Sequence, residues 1–180
     1  MLDDRRLIGR LKQGDREVLR QVYVTYKDTL LTLAYALLHD MNAAEDILHD
    51  VFVSFAGNVE GFKVRSGLRQ YLTTAVVNRV RDRFRRQNTH RVDPGAGQGS
   101  APMAASAERA AVLSEETQRL TGALARLPLE QREVITLRLK AGMKFREVAE
   151  IQKTSIATVQ GRYRYAVGKL QALLGGECEE

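Results

Sequence analysis

At 180 residues the chain can form one medium domain or two small ones, and a composition rich in Ala, Leu, Val, Arg and Glu, with three prolines and no tryptophan, predicts an all-α protein. A formal net charge of +6 points to a polyanionic partner, and the lone Cys178 excludes an internal disulfide and fits a reducing compartment. The N-terminus lacks an apolar signal core, and the longest apolar run, Leu30 to Leu38, is broken by Thr32 and too short for a bilayer, so the sequence predicts a cytoplasmic protein without membrane insertion.

Asp3 to Lys12 reads as a short helix with Leu7, Ile8 and Leu11 inward, ended by Gly14 before a cap at Asp15. From Arg16 to His39, Leu19, Val22, Tyr23, Tyr26, Leu30, Leu33, Ala34 and Leu37 recur at steps of three and four, the pattern of a long amphipathic helix. Tyr23, Tyr26 and Tyr35 lie at helical spacing and read as packing residues. Asn42 with Glu45 resembles a capping box and predicts the start of a third helix, which buries Ile47, Leu48, Val51, Phe52 and Phe55 and presents Asp46, His49 and Asp50 on its other face. Gly57-Asn58 closes it.

Charge then reverses. Between Asp40 and Glu60 there are five acids and no Lys or Arg, whereas Lys63 to Arg91 holds nine basic residues against Asp82 alone. A helix expected from Leu68 to Gln87 turns Leu68, Tyr71, Leu72, Ala75, Val76, Val80 and Phe84 inward, and Arg69, Asn78, Arg79, Arg81, Asp82, Arg85 and Arg86 cover the remainder. Guanidinium forks match phosphate oxygens and Asn can pair with adenine edges, so this face suits nucleic acid; a merely solvated basic face is the alternative.

Residues 88–107, rich in Gly, Ser, Ala and Pro and without apolar periodicity, read as a flexible linker. It divides the chain into domains spanning 1–87 and 108–180. The second opens with a helix from about Glu108 to Arg126. Pro128 starts the next in the first-turn position proline tolerates, with Glu130 and Glu133 near its positive end, and Gly142 stops it.

Phe145 to Leu170 reads as helix, tight turn, helix. Phe145, Val148, Ala149 and Ile151 give one apolar face, Lys153-Thr154 interrupts it, and Ile156, Val159, Tyr163, Ala166, Val167 and Leu170 give the second. Ser155 is placed to cap the second helix, with Thr158 and Gln160 on its open face, and no acid lies between Glu150 and Glu177, so Lys153, Arg162, Arg164 and Lys169 make that face positive. A helix of this kind fits a DNA major groove; an ordinary basic hairpin is the alternative. Lys153 stands where the helix-turn-helix turn commonly has Gly, which implies a residue strained by positive φ at a cost of about 1 kcal/mol.

Together these segments resemble the two-domain extracytoplasmic-function sigma factors of the sigma-70 family. Ala44-Glu45-Asp46-Ile47-Leu48-His49-Asp50-Val51-Phe52 resembles region 2.2, Leu68 to Arg86 resembles regions 2.3 and 2.4, and Leu127-Pro128-Leu129-Glu130-Gln131-Arg132-Glu133-Val134 with the helix-turn-helix resembles region 4. The resemblance implies two helical domains: a region 2 bundle that docks on core RNA polymerase and melts the promoter −10 element, and a region 4 that reads the −35 element. It assigns polymerase binding to Asp46, His49 and Asp50. It assigns −10 contacts to Arg69, Tyr71, Asn78, Arg79, Asp82, Arg85 and Arg86, and −35 contacts to Lys153, Ser155, Thr158, Gln160, Arg162 and Arg164. The implied partners are the polymerase β′ clamp helices and β flap, promoter DNA and, as an option, an anti-sigma protein.

The chain departs from the family pattern at His49 (usually Gln), Ala56 (usually Trp), Leu68 (usually Phe) and Tyr71 (usually Trp). Melting requires capture of an extruded base, expected in the 61–67 loop beside the arginine-rich helix. There is no phosphate loop, nucleophile motif or clustered metal-ligand set, so neither catalytic residues nor a metal or cofactor is expected and the chemistry belongs to polymerase. A free-standing helix-turn-helix regulator and a sigma-like protein-interaction module are the competing readings.

Overall fold

A computed structural model describes residues 4–58, 67–91 and 115–175. Among them the regular elements are all helices: α1 (Asp4–Lys12), α2 (Arg16–Leu38), α3 (Met41–Gly57), α4 (Leu68–Arg91), α5 (Glu115–Ala125), α6 (Leu129–Leu139), α7 (Phe145–Gln152) and α8 (Ile156–Gly175). The long α2 is the hub. It packs on α1, α3 and α4 within the N-terminal bundle and on α5 and α6 of the C-terminal one. Its Leu30, Leu33 and Leu37 are fully buried with Phe55 of α3 and Leu72 of α4, each such side chain contributing roughly 1.5–3 kcal/mol through the apolar area it removes from water.

Local chemistry sets the helix ends. Gly14 (φ 82°) turns the chain out of α1, and the Asp15 carboxylate accepts from the Glu17 amide at 3.1 Å, starting α2. His39 ends α2 in the left-handed region at φ 56°, donating its backbone N–H to Tyr35. The start of α3 differs from expectation. Asp40, in extended conformation straight after His39, accepts from the Ala43 amide at 3.1 Å, and the helix is already under way at Asn42. The true cap lies two residues upstream because the left-handed turn delivers Asp40 in cap geometry first.

Helix α4 has a cap no local pattern foretells: its first amide, Leu68 N–H, donates at 2.8 Å to the Asp4 carboxylate of α1, 64 residues away. The helix continues to Arg91, so residues 88–91 of the expected linker are helical; 92–107 lie outside the described residues, as do 61–66 of the proposed base-capture loop and the first part of the helix expected from Glu108. Pro128 occupies the cap of α6, one position before the first turn expected for it, and its carbonyl accepts from Gln131 and Arg132.

The two bundles share a core. One hydrophobic cluster runs from Leu7, Val22 and Val76 through Val134, Leu137 and Met143 to Val148 and Val159, and a smaller one gathers Leu124, Leu127, Ile135, Ala166 and Leu170 under α8.

Candidate nucleic-acid interface

Three surfaces carry the residues singled out from the sequence. The first is the outer face of α3. Its inward positions Ile47, Leu48, Val51 and Phe52 are buried, which leaves Asp46, His49 and Asp50 exposed on the opposite side, as the spacing predicts. Beside this face an open groove of about 760 Å³ runs between α2 and α3. Leu19, Leu31, Phe52, Val53 and Ala56 form its apolar lining, with Arg16, Arg20, Lys27, Glu45 and His49 around them. Tyr23 packs edge-on to Phe52 at 4.9 Å, and Val53 is 57% exposed. Part of the groove's width comes from Ala56, which is small.

The second surface is α4. Arg69, Asn78, Arg79, Arg85 and Arg86 are exposed and Asp82 is half-buried. Arg79 reaches back to Asp50 at 3.1 Å, so the acidic and basic faces meet along one seam, and Arg83 approaches the cap residue Asp40 at 3.9 Å. Asp82 holds Arg85 at 2.7 Å one turn on, which fixes the direction of that guanidinium. Tyr71 lies 5.9 Å from Phe55, ring to ring, and is half-buried: it packs into the bundle.

The third surface is the helix-turn-helix formed by α7 and α8. Lys153 has φ 51° and ψ 47°, the left-handed turn residue the sequence implied, and the Thr154 amide returns to the Ala149 carbonyl at 3.1 Å. Ser155 caps α8 by accepting from the Thr158 amide at 3.0 Å. Ala149 and Val159 are buried at the crossing, and Phe145 meets Tyr163 edge-on at 5.4 Å, with Arg138 stacked over Phe145 at 4.4 Å. Lys153, Ser155, Thr158, Gln160 and Arg164 are left exposed on one side. Arg162 is different. It is half-buried and donates to the Gln152 side chain at 2.8 Å.

Between the second and third surfaces lies a polar seam that periodicity does not reveal. Glu133, expected at the solvated start of α6, is fully buried and accepts both arms of the Arg81 guanidinium, at 2.7 and 2.5 Å. Arg81 also donates to the Ile151 carbonyl at 3.0 Å, and Gln152 donates to Glu133 at 2.9 Å. The hydrogen bond with Glu133 holds the Arg81 guanidinium more firmly protonated than usual. Gln70 donates to Glu150 at 2.9 Å, and the Arg69 guanidinium lies against Gly142. Farther along, Arg132 donates to the carbonyl of Leu37 at 2.6 Å and to those of Ala125 and Leu127, placing a cation at the negative end of α2. The nearby His39 imidazole is pushed down to about 4, first by burial and then by Arg132.

No helix among the described residues is long and apolar enough to cross a membrane, and none of their acidic, His and Cys side chains cluster as metal ligands. Residues 22–90 match the family model described as Sigma-70 region 2, and residues 117–170 match Sigma-70, region 4. The chain is 25% identical to the ECF RNA polymerase sigma factor SigW of Bacillus subtilis, over 86% of this chain and 88% of that one. It is 27% identical to the RNA polymerase sigma factor CnrH of Cupriavidus metallidurans, over 98% and 97% of the two chains. A solved structure of CnrH in complex with the cytosolic domain of CnrY superposes with a TM-score of 0.73 at 26% identity, covering 97% of this chain and 98% of that one.

Proposed function

The chain belongs to the sigma-70 family and is an RNA polymerase sigma factor related to the extracytoplasmic-function group, and from that premise we propose how its three surfaces divide the work. The outer face of α3, with Asp46, His49, Asp50 and the apolar groove beside it, receives the β′ clamp helices of core polymerase. Exposed acids steer a basic partner, and Val53 and the groove supply apolar area at the centre of the contact. The exposed edge of α4, Arg69, Asn78, Arg79, Asp82, Arg85 and Arg86, engages the −10 element, its guanidiniums on phosphates and Asn78 on a base edge. Tyr71 supports that edge from inside the bundle. The α7–α8 unit reads the −35 element, with Ser155, Thr158 and Gln160 near base edges and Lys153 and Arg164 on the backbone.

The observation that carries this reading is the ordered pair of region 2 and region 4 matches, each with its charged face turned to solvent. The chain contributes recognition while polymerase performs the chemistry, and its place of action is the cytoplasm. A protein that restrains it, as the cytosolic domain of CnrY binds CnrH, belongs to the same reading.

The test is binding of the full chain to bacterial core polymerase with run-off transcription. Asp50→Arg, which also loses its bridge to Arg79, is expected to abolish stable association while the helical spectrum stays unchanged. Normal initiation by that variant would overturn the assignment of α3.

A further inference from the structure

The first two turns of α8 have little polar chemistry to spare. Ser155 Oγ accepts from the Thr158 amide at 3.0 Å and lies 2.8 Å from Thr158 Oγ1, so the two hydroxyls are turned toward each other at the cap and the Thr158 methyl is left to face outward. The Arg162 guanidinium is bonded to Gln152. Ile156, at the very start of the helix, is 44% exposed although it is apolar, and Ala157 beside it is exposed too. Gly161 offers only backbone. A methyl group in its place would meet no atom of the rest of the fold within 4 Å, so packing does not explain the glycine.

Ala157, Gly161, Arg164 and Gly168 follow one another at steps of four, three and four, a single stripe on the side of α8 opposite the buried Val159, Ala166 and Leu170. A helix lying in a major groove turns such a stripe toward the base edges, and its N-terminal residues make the base contacts. Guanine is read there by Arg or Lys and cytosine by Glu or Asp, whereas thymine offers its 5-methyl group to apolar side chains and adenine pairs with Asn or Gln. From Ile156 to Gly161 there is no charged residue. What this block presents is two apolar side chains, an outward methyl and the exposed amide of Gln160. Lys153 precedes it in the turn and Arg164 follows it, both exposed and placed for phosphates.

We propose that α8 reads A·T pairs in the −35 element by apolar contact: Ile156 and Ala157 pack against thymine 5-methyl groups, Gln160 pairs with an adenine, and the first two turns read no guanine. This names the sequence class taken by the helix-turn-helix and rests on the sigma-factor reading for the site itself. A side chain as short as Ala157 reaches a methyl only if the helix backbone comes close to the bases, and the bare Gly161, one turn on in the same stripe, allows that approach. Discrimination has two sources. Each methyl buried against an alkyl side chain strengthens binding about fourfold. A G·C pair in the same place would leave the cytosine amino group or the guanine acceptors covered by hydrocarbon without a partner, which penalises the wrong sequence further.

The experiment assembles the full chain with bacterial core polymerase and selects bound duplexes from a DNA library randomised across the upstream element. The selected −35 element should hold A·T pairs where the first two turns of α8 lie. Replacing its thymines by deoxyuridine removes only the 5-methyl groups and should weaken binding about fourfold for each methyl in contact. In Ile156→Ala, a change at an exposed position, one thymine should lose that penalty while the helical spectrum stays unchanged. Comparison with this variant separates α8 from the polymerase's own DNA contacts. Gln160→Ala should keep the methyl penalties and relax the choice of base at one position. Equal affinity for thymine and deoxyuridine duplexes, or a selected element dominated by G·C pairs, would overturn the proposal and leave the sigma-factor reading intact. A deoxyuridine penalty unchanged in Ile156→Ala would overturn the role of that residue. A chain that does not assemble with core polymerase, or a holoenzyme that enriches no upstream element, would overturn the sigma-factor reading and this one with it.

Discussion

Helices α4 and α8 both carry arginine on polar faces, yet they deploy it differently. In α8 two of the three basic residues, Arg164 and Lys169, face solvent and only Arg162 is held inside its own domain, by Gln152, while the inward side rests on Val159, Ala166 and Leu170. In α4 three neighbouring arginines have three fates: Arg79 crosses to Asp50 of α3, Arg81 is drawn into the C-terminal domain, and Arg85 is braced by Asp82 for an outside contact. Charge density along a helix thus sets an upper bound on what it offers a nucleic acid. The share actually offered depends on which acids the rest of the fold brings within reach.

The largest test of this contrast is Arg164→Ala in the holoenzyme. Loss of one exposed phosphate contact on α8 should weaken binding to a duplex −35 site about tenfold and lower the slope of log affinity against log salt by about 1. An unchanged slope would mean that α8 is as internally committed as α4. A smaller effect is expected at the turn between α7 and α8: Lys153→Gly relieves a non-glycine left-handed residue and should raise unfolding stability by about 0.5–1 kcal/mol in urea denaturation. A decrease would show that the lysine stem makes contacts worth more than the strain.

The last test concerns acid. His39 titrates near 4 in the folded chain against 6.5 in the unfolded one, so between those values the unfolded chain takes up a proton that the folded chain refuses. Stability is complete above about pH 6.5 and is lost as pH falls through that window. His39→Asn keeps a side chain that tolerates φ 56° and removes the titration, so its profile should be flatter between those limits. Parallel profiles for the two proteins would place the acid sensitivity elsewhere.

What could be foreseen follows from how far apart the interacting residues lie. The helix-turn-helix was legible in detail, down to the Ser155 cap and the positive φ of Lys153, because every relevant contact falls within about one helical turn. The exposed acids of α3 followed from the same periodicity. The start of that helix was misplaced because Asn42 with Glu45 has the right spacing for a cap but sits behind Asp40, and only the left-handed backbone at His39 decides between them. The seam was illegible. Arg81 and Glu133 are 52 residues apart and Gln70 and Glu150 are 80 apart, and nothing in either neighbourhood distinguishes these residues from solvated ones. Val77 was the one local hint, an apolar residue on α4 outside the set expected to face its own bundle, and fully buried.

The carboxylate of Asp4 is the stop against which the first amide of α4 rests. Helix α1 is therefore part of the seating of the helix proposed to open DNA. Asp4→Ala, which takes the acceptor away from that amide, is expected to disturb promoter opening while leaving the helix-turn-helix intact.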